Sequence, residues 1–174
     1  LWEKEKDYIG ANICVSGWIR SHRDSKDLGF IELSDGTSMK RLQVVYDKDT
    51  EDFEEIGSIP FGSSIEVYGE LVQSEGKNQS VELKAKRVKV LGKCDADYPL
   101  QPKRHTKEFL RSIAHLRPRA NLFQAVFRIR SVASLAIHEY FGKNGYVYFH
   151  APILTASDCE GAGEMFHVTC MDLE

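Results

Sequence analysis

Five short stretches of alternating apolar and polar residues, with one helical stretch between the third and the fourth, constrain the fold of this chain more than any other feature. In residues 13–23, Ile13, Val15, Gly17 and Ile19 alternate with Asn12, Cys14, Ser16, Trp18 and Arg20, the pattern of a strand with one face buried. Residues 30–33 read as a second strand running into the turn signal Asp35-Gly36, and residues 41–46 as a third. Residues 50–59, with acids in their first turn, read as a short helix. Residues 65–72 and 81–91 supply two more strands, joined by the polar loop 74–80. Five strands with a helix after the third is the element order of an OB-fold barrel, whose exposed face commonly binds oligonucleotides. An SH3-like barrel or a split sandwich accommodates the same strands.

Beyond residue 91 both periodicities stop. Tyr98-Pro99, Gln101-Pro102 and the basic run Lys103-Arg104-His105 read as a linker. A short helix is expected over 108–116, ended by Pro118, and a second over 121–144, with Asn121 and Gln124 spaced as a capping pair. In that helix Leu122, Val126, Ile129, Ala133, Ile137 and Phe141 step by three or four, a stripe expected to be buried. Asn144-Gly145 is a helix stop, residues 146–150 are aromatic and β-branched enough for a strand, and Pro152 ends it.

A chain of 174 residues with 42% hydrophobic content can fill one domain or two small ones, and its net charge of −3 argues against a uniformly basic nucleic-acid coat. Cys14, Cys94, Cys159 and Cys170 lack the spacing of a zinc site or a disulfide framework. His22, His105, His115, His138, His150 and His167 show no ligand spacing, so no metal site is expected. No run approaches the roughly 18 apolar residues of a membrane span, so the expected setting is cytoplasmic, with no membrane partner. Ser157-Asp158 lacks a nucleophile elbow, and Gly161-x-Gly163 lacks the third glycine of a dinucleotide fingerprint.

The order of long helix, Gly145, short aromatic strand, Pro152 and Ser157-Asp158-Cys159-Glu160-Gly161-Ala162-Gly163-Glu164-Met165-Phe166 closely resembles motif 1 and the following loop of class II aminoacyl-tRNA synthetases. Its E-G-A-G-E-M-F form is similar to the asparaginyl subfamily, where aspartyl enzymes carry E-G-A-R-D. The run W-I-R-S-H-R-D, followed by G-F-I-E-L-S-D-G and L-Q-V-V-Y-D, resembles the anticodon-binding barrel of the aspartyl, asparaginyl and lysyl enzymes.

The resemblance implies an α+β chain. Residues 1–97 would be a five-stranded OB-fold anticodon-binding domain and 98–120 a hinge. Residues 121–174 would hold the first helix and strand of the class II antiparallel-sheet catalytic domain. It implies ATP-dependent activation of asparagine, with Mg2+, and transfer to tRNA(Asn) by a homodimer. Motifs 2 and 3, which bind ATP, are not recognisable, so the chain is expected to be the N-terminal portion of a longer enzyme and inactive alone. An aspartyl relative, or a stand-alone tRNA-binding module, remain the alternatives.

By the same resemblance Phe30 stacks on the middle anticodon uridine, Gln43 hydrogen-bonds it, Glu82 contacts anticodon bases, and Arg20 and Arg23 lie beside the phosphate path. Lys103 and Arg104 would touch tRNA backbone near its inner bend, and Glu160 would pair with the ammonium of the amino acid. Ile129, Ala133, Ile137, Phe141 and Pro152 would lie at the dimer interface. An aromatic and an amide on adjacent strands suit single-strand recognition, since every base offers a face to stack on and an edge to pair with. Taken singly, Phe30 could as well be core, Gln43 idle in solvent and Glu82 an ordinary surface acid, and the helix stripe could cover the chain's own sheet.

Overall fold

Each alternating segment becomes a strand because an extended chain puts every second side chain on one face. The computed structural model of the chain describes residues 4–74, 76, 79–152, 154, 166 and 168–170. Strands β1 (Asn12–Asp24), β2 (Leu28–Ser34), β3 (Leu42–Asp47), β4 (Ser64–Gln73) and β5 (Val81–Gly92) close into a barrel in the order β1-β2-β3-β5-β4. Neighbours are antiparallel except β3 and β5, whose parallel pairing closes the barrel. This is the OB-fold expected from the element order.

The inward residues of all five strands form one core, including Ile19, Ile31, Val44, Ile65 and Leu83, each 0% exposed. Helix α1 (Phe53–Gly57) plugs one end with Ile56. It is shorter than the stretch read from sequence. Thr50 is buried, its Oγ1 accepting from Asp47 N (3.0 Å) and donating to the Ala85 carbonyl (3.1 Å), and Glu51 bridges to Arg87 on β5. Sheet bonding therefore takes residues 50–51, and the helix starts only after Asp52 turns the chain through a left-handed conformation.

Tyr46 is the largest fully buried side chain of the barrel, and it fits because its neighbour across the pair, Gly29, has no side chain. A Cβ on Gly29 would fall inside the Tyr46 ring.

The chain divides into two compact units, Leu1–Arg130 and Ser131–Glu174. In the first, the expected linker is packed against protein, with Leu100 and Leu110 buried. Helix α2 (Lys107–Ser112) starts where Thr106 Oγ1 accepts from Phe109 N at 3.2 Å and ends earlier than expected, and Pro118 sits in a separate 3-10 turn, Arg117–Arg119. Helix α3 is Asn121–Lys143. The expected capping pair does not form. Asn121 Oδ1 accepts from Arg41 Nη2 (2.8 Å), and Gln124 Nε2 donates to the Ser38 carbonyl (3.4 Å).

The stripe expected to be buried is exposed: Ile129 is 68% and Ile137 59% accessible, and no residue of α3 is fully buried. The half-buried residues of its first turns are instead Phe123, Gln124, Ala125, Phe127 and Arg128, with the Arg117 guanidinium over both phenyl rings. All six residues of the stripe are exposed.

In the second unit α3 ends as Asn144-Gly145 indicated. Gly145 has φ +82°, its N–H bonds the Gly142 carbonyl, and Tyr146 N bonds the Phe141 carbonyl, with the two rings 5.3 Å apart. Residues 146–150 are not a strand. An extended segment needs a partner ladder, and the described residues provide none. No helix among the described residues is long and apolar enough to cross a membrane.

Gly29→Ala is expected to cost about 1–3 kcal/mol through overpacking, lowering the thermal midpoint by several degrees. Gly142→Ala, on the open face of α3 with nothing within 4 Å, is expected to be neutral or stabilising in the same melts.

Candidate nucleic-acid interface

The alternation that buries Gly29, Ile31 and Leu33 on β2 turns Phe30 and Glu32 outward, and burying Leu42, Val44 and Tyr46 turns Gln43 outward on β3. Barrel closure then sets Gln43 directly opposite Glu82 on β5, and Glu32 opposite Gln43 on its other side. Phe30 pairs across β1 with Arg23. One outer face thus carries an aromatic, an amide, two carboxylates and a cation in adjacent positions. Phe30 is half-buried there and lies outside the core cluster.

A depression of about 330 Å³ lies on this face, lined by Arg23, Asp24, Ser25, Leu28, Phe30 and Gln43. Beside Gln43, Glu82 Oε2 accepts from Gln43 Nε2 (3.3 Å), Ser74 Oγ (2.9 Å) and Gln79 Nε2 (3.2 Å). Arg41 Nη1 meets Glu32 Oε2 at 2.6 Å. That pair is partly exposed, so it orients the face more than it stabilises the fold.

Two family models match in sequence. One, described as an OB-fold nucleic acid binding domain, matches residues 13–91, and the other, tRNA synthetases class II (D, K and N), matches residues 106–173. The asparagine–tRNA ligase of Clostridium novyi (strain NT) is 55% identical over 174 residues, covering 100% of this chain and 38% of the relative. That of Bacillus cereus (strain ZK / E33L) is 51% identical over 173 residues, 99% of this chain and 37% of the relative. Over its whole length the chain is thus similar in sequence to class II tRNA synthetases of the asparaginyl kind. It spans less than two fifths of the length of these relatives. The crystal structure of asparaginyl-tRNA synthetase from Pyrococcus horikoshii complexed with asparaginyl-adenylate shares the fold, with a TM-score of 0.79 at 22% identity, over 90% of this chain and 36% of that one.

In the structure the residues singled out in sequence fall into separate places. Phe30, Gln43, Glu82 and Arg23 come together as described. Arg20 does not join them, because it is the extra residue where the β1–β2 register shifts between Ile19 and Ser21. Its Nη2 donates to the Arg119 carbonyl at 2.6 Å, and it lines a second cavity of about 590 Å³ with Arg41, Lys103, Arg104 and His105. Burial first, and then the like charge of Arg41, pull the Arg20 guanidinium below its ordinary value, so a cation is held there at some electrostatic cost. Glu160 lies outside the described residues.

Ser74, Gln79 and Arg41 were not legible as site residues, since a polar loop and a strand-edge arginine carry no signal without the pairing that brings them to Glu82 and Glu32. Asp24, which lines the depression, is also tied to the core. Tyr46 OH donates to Asp24 Oδ1 (2.9 Å), His22 Nε2 lies 2.7 Å from the same hydroxyl, and His22 Nδ1–H donates to the Ile59 carbonyl (3.1 Å).

Burial, and then the Asp24 carboxylate, push the Tyr46 phenol upward from its ordinary value. The folded chain therefore favours the neutral phenol. This stabilisation is fully present below the unfolded value of about 10 and is lost as pH rises beyond it. Urea unfolding of the wild type is expected to show stability declining above about pH 10. Tyr46→Phe, which lacks the titrating hydroxyl, is expected to decline less steeply, from a neutral-pH value lowered by about 1 kcal/mol for the lost hydrogen bond.

Proposed function

We propose that this chain is the N-terminal, tRNA-binding portion of an asparagine–tRNA ligase. In this reading residues 1–97 are the anticodon-binding barrel, 98–120 the hinge, and residues from 121 onward the start of the catalytic domain. The observation that carries it is the convergence of Phe30, Gln43 and Glu82 on one outer face of the barrel, in a chain 55% identical over its length to an asparagine–tRNA ligase.

The chemistry of the face fits a single-stranded RNA loop. Phe30 offers a ring for a base to stack on, worth about 1–3 kcal/mol. Gln43 offers an amide to the base edge, and Arg23, opposite Phe30, a charge to the adjoining phosphate. Glu82 takes donors from a neighbouring base. The second cavity suits tRNA backbone. Lys103 and Arg104 add cations to Arg20 and Arg41, and a phosphate there would relieve the cost of holding Arg20 charged.

The whole ligase would activate asparagine with ATP and Mg2+ as an aminoacyl-adenylate and transfer it to tRNA(Asn) in the cytoplasm, with Glu160 holding the asparagine ammonium. Among the described residues no group of three or more His, Cys, Asp or Glu could hold a metal ion, and no step of that chemistry is assigned to them. The exposed residues Ile129, Ala133, Ile137 and Phe141 on α3, with Pro152 beyond it, support a homodimer interface in the whole ligase.

The test is binding of this chain to two short RNA stem-loops that differ only in having uridine or cytidine at the loop centre. The wild type is expected to prefer uridine. Phe30→Ala should weaken binding about tenfold or more, as loss of one stacked base requires, while keeping the thermal midpoint. Gln43→Ala should erase the preference. Equal binding of the two loops by the wild type, or a Phe30→Ala variant that melts early and binds normally, contradicts the proposal.

A further inference from the structure

We propose that Ser74 and Gln79, in the loop between β4 and β5, are positioning residues that make the barrel select uridine over cytidine by fixing which end of the Gln43 amide faces the base. The inference rests on the anticodon-binding reading of the face. An ionised carboxylate only accepts hydrogen bonds, so the end of the Gln43 amide lying 3.3 Å from Glu82 Oε2 must be its NH2 group. Gln43 also lines the depression beside Phe30. With the NH2 end of the amide turned to Glu82, the opposite end, the acceptor Oε1, is the one left to meet a base there.

An acceptor at that point pairs with the N3–H of uracil and opposes the lone pair of cytosine N3. A flipped amide would reverse the choice, so the orientation of one side chain carries the specificity. Glu82 imposes that orientation only while its carboxylate stays in place. Ser74 Oγ donates to Glu82 Oε2 at 2.9 Å, and it accepts from Gly76 N and Gln79 Nε2, both at 3.0 Å, which uses every donor and acceptor of the hydroxyl. Gln79 Nε2 also reaches Glu82 Oε2, at 3.2 Å. Backbone bonding from Ser74 N to the Ser80 carbonyl (3.1 Å) closes the loop that carries both residues. Neither side chain need touch the base to act. Without them Glu82 is free to turn toward solvent, and the amide is free to flip.

The test uses the same two stem-loops with Ser74→Ala/Gln79→Ala in the 174-residue chain. The uridine-to-cytidine affinity ratio is expected to fall roughly tenfold, the worth of one well-made hydrogen bond to the base. In a Gln43→Ala background the same double change should alter the ratio no further, because the loop acts only through that amide. Should the double variant fail to fold, Gln79→Ala alone is measured the same way, with a smaller loss of ratio expected. A wild type without uridine preference overturns the anticodon-binding reading itself. A wild type with the preference, and a variant that keeps it, overturns this inference alone. A further loss in the Gln43→Ala background also overturns it, since the loop would then act by some other route.

Discussion

The parallel pairing of β3 with β5 is the constraint on which the rest depends. It closes the barrel, and its register sets Gln43 against Glu82, Val44 against Leu83 and Val45 against Lys84. Side chains alternate along a strand, so a slip of one residue would bury Gln43 and Glu82 and expose Val44 and Leu83. Burial of those two apolar residues, both 0% exposed, therefore specifies the polar face opposite them. The outer residues contribute little to stability and inherit their placement from the core.

The same dependence runs through Tyr46. Its ring fills the space that Gly29 leaves open, and its hydroxyl ties Asp24 at the rim of the depression and His22 on β1. The wall of the depression is thus fixed from below by a buried aromatic whose polar end is satisfied, the condition under which a tyrosine is well accommodated in a core. Arg20 shows the converse. The bulge that displaces it from the ladder sends its guanidinium to the segment after the barrel and away from Phe30, so one strand supplies cations to two separate places.

The barrel was legible in the sequence because each strand packs one face on a single core, and that one-sided burial writes a period of two into β1, β2 and β4. Phe30 was legible only through the family resemblance, because alternation assigns it to the outer face only once the inward set, Gly29 and Ile31, is known. The helix signals were weaker. Thr50 and Glu51 have helix-compatible neighbours but are drawn into sheet bonding, and Asn121 answers Arg41, a residue distant in sequence, in place of capping its own helix. The stripe on α3 was read correctly as apolar and incorrectly as buried, since periodicity shows which face seeks a partner and cannot show whether the partner is present. Residues 146–150 are the same case, with β-forming side chains and no ladder among the described residues. The Ser74, Gln79 and Glu82 cluster left no trace in local pattern, because it is made by a loop folding back on its own strand.

The central claim, that the outer face of β2, β3 and β5 is where RNA docks, is tested most directly by a residue-resolved NMR titration of the chain with a uridine-centred stem-loop. The account predicts that the largest shifts fall on Arg23, Phe30, Gln43 and Glu82 and on the side-chain amides of Gln43 and Gln79, with smaller ones at Lys103 and Arg104. Shifts centred instead on the cavity formed by Trp18, Cys94 and Tyr98, with the Gln43 side-chain amide unmoved, would contradict it.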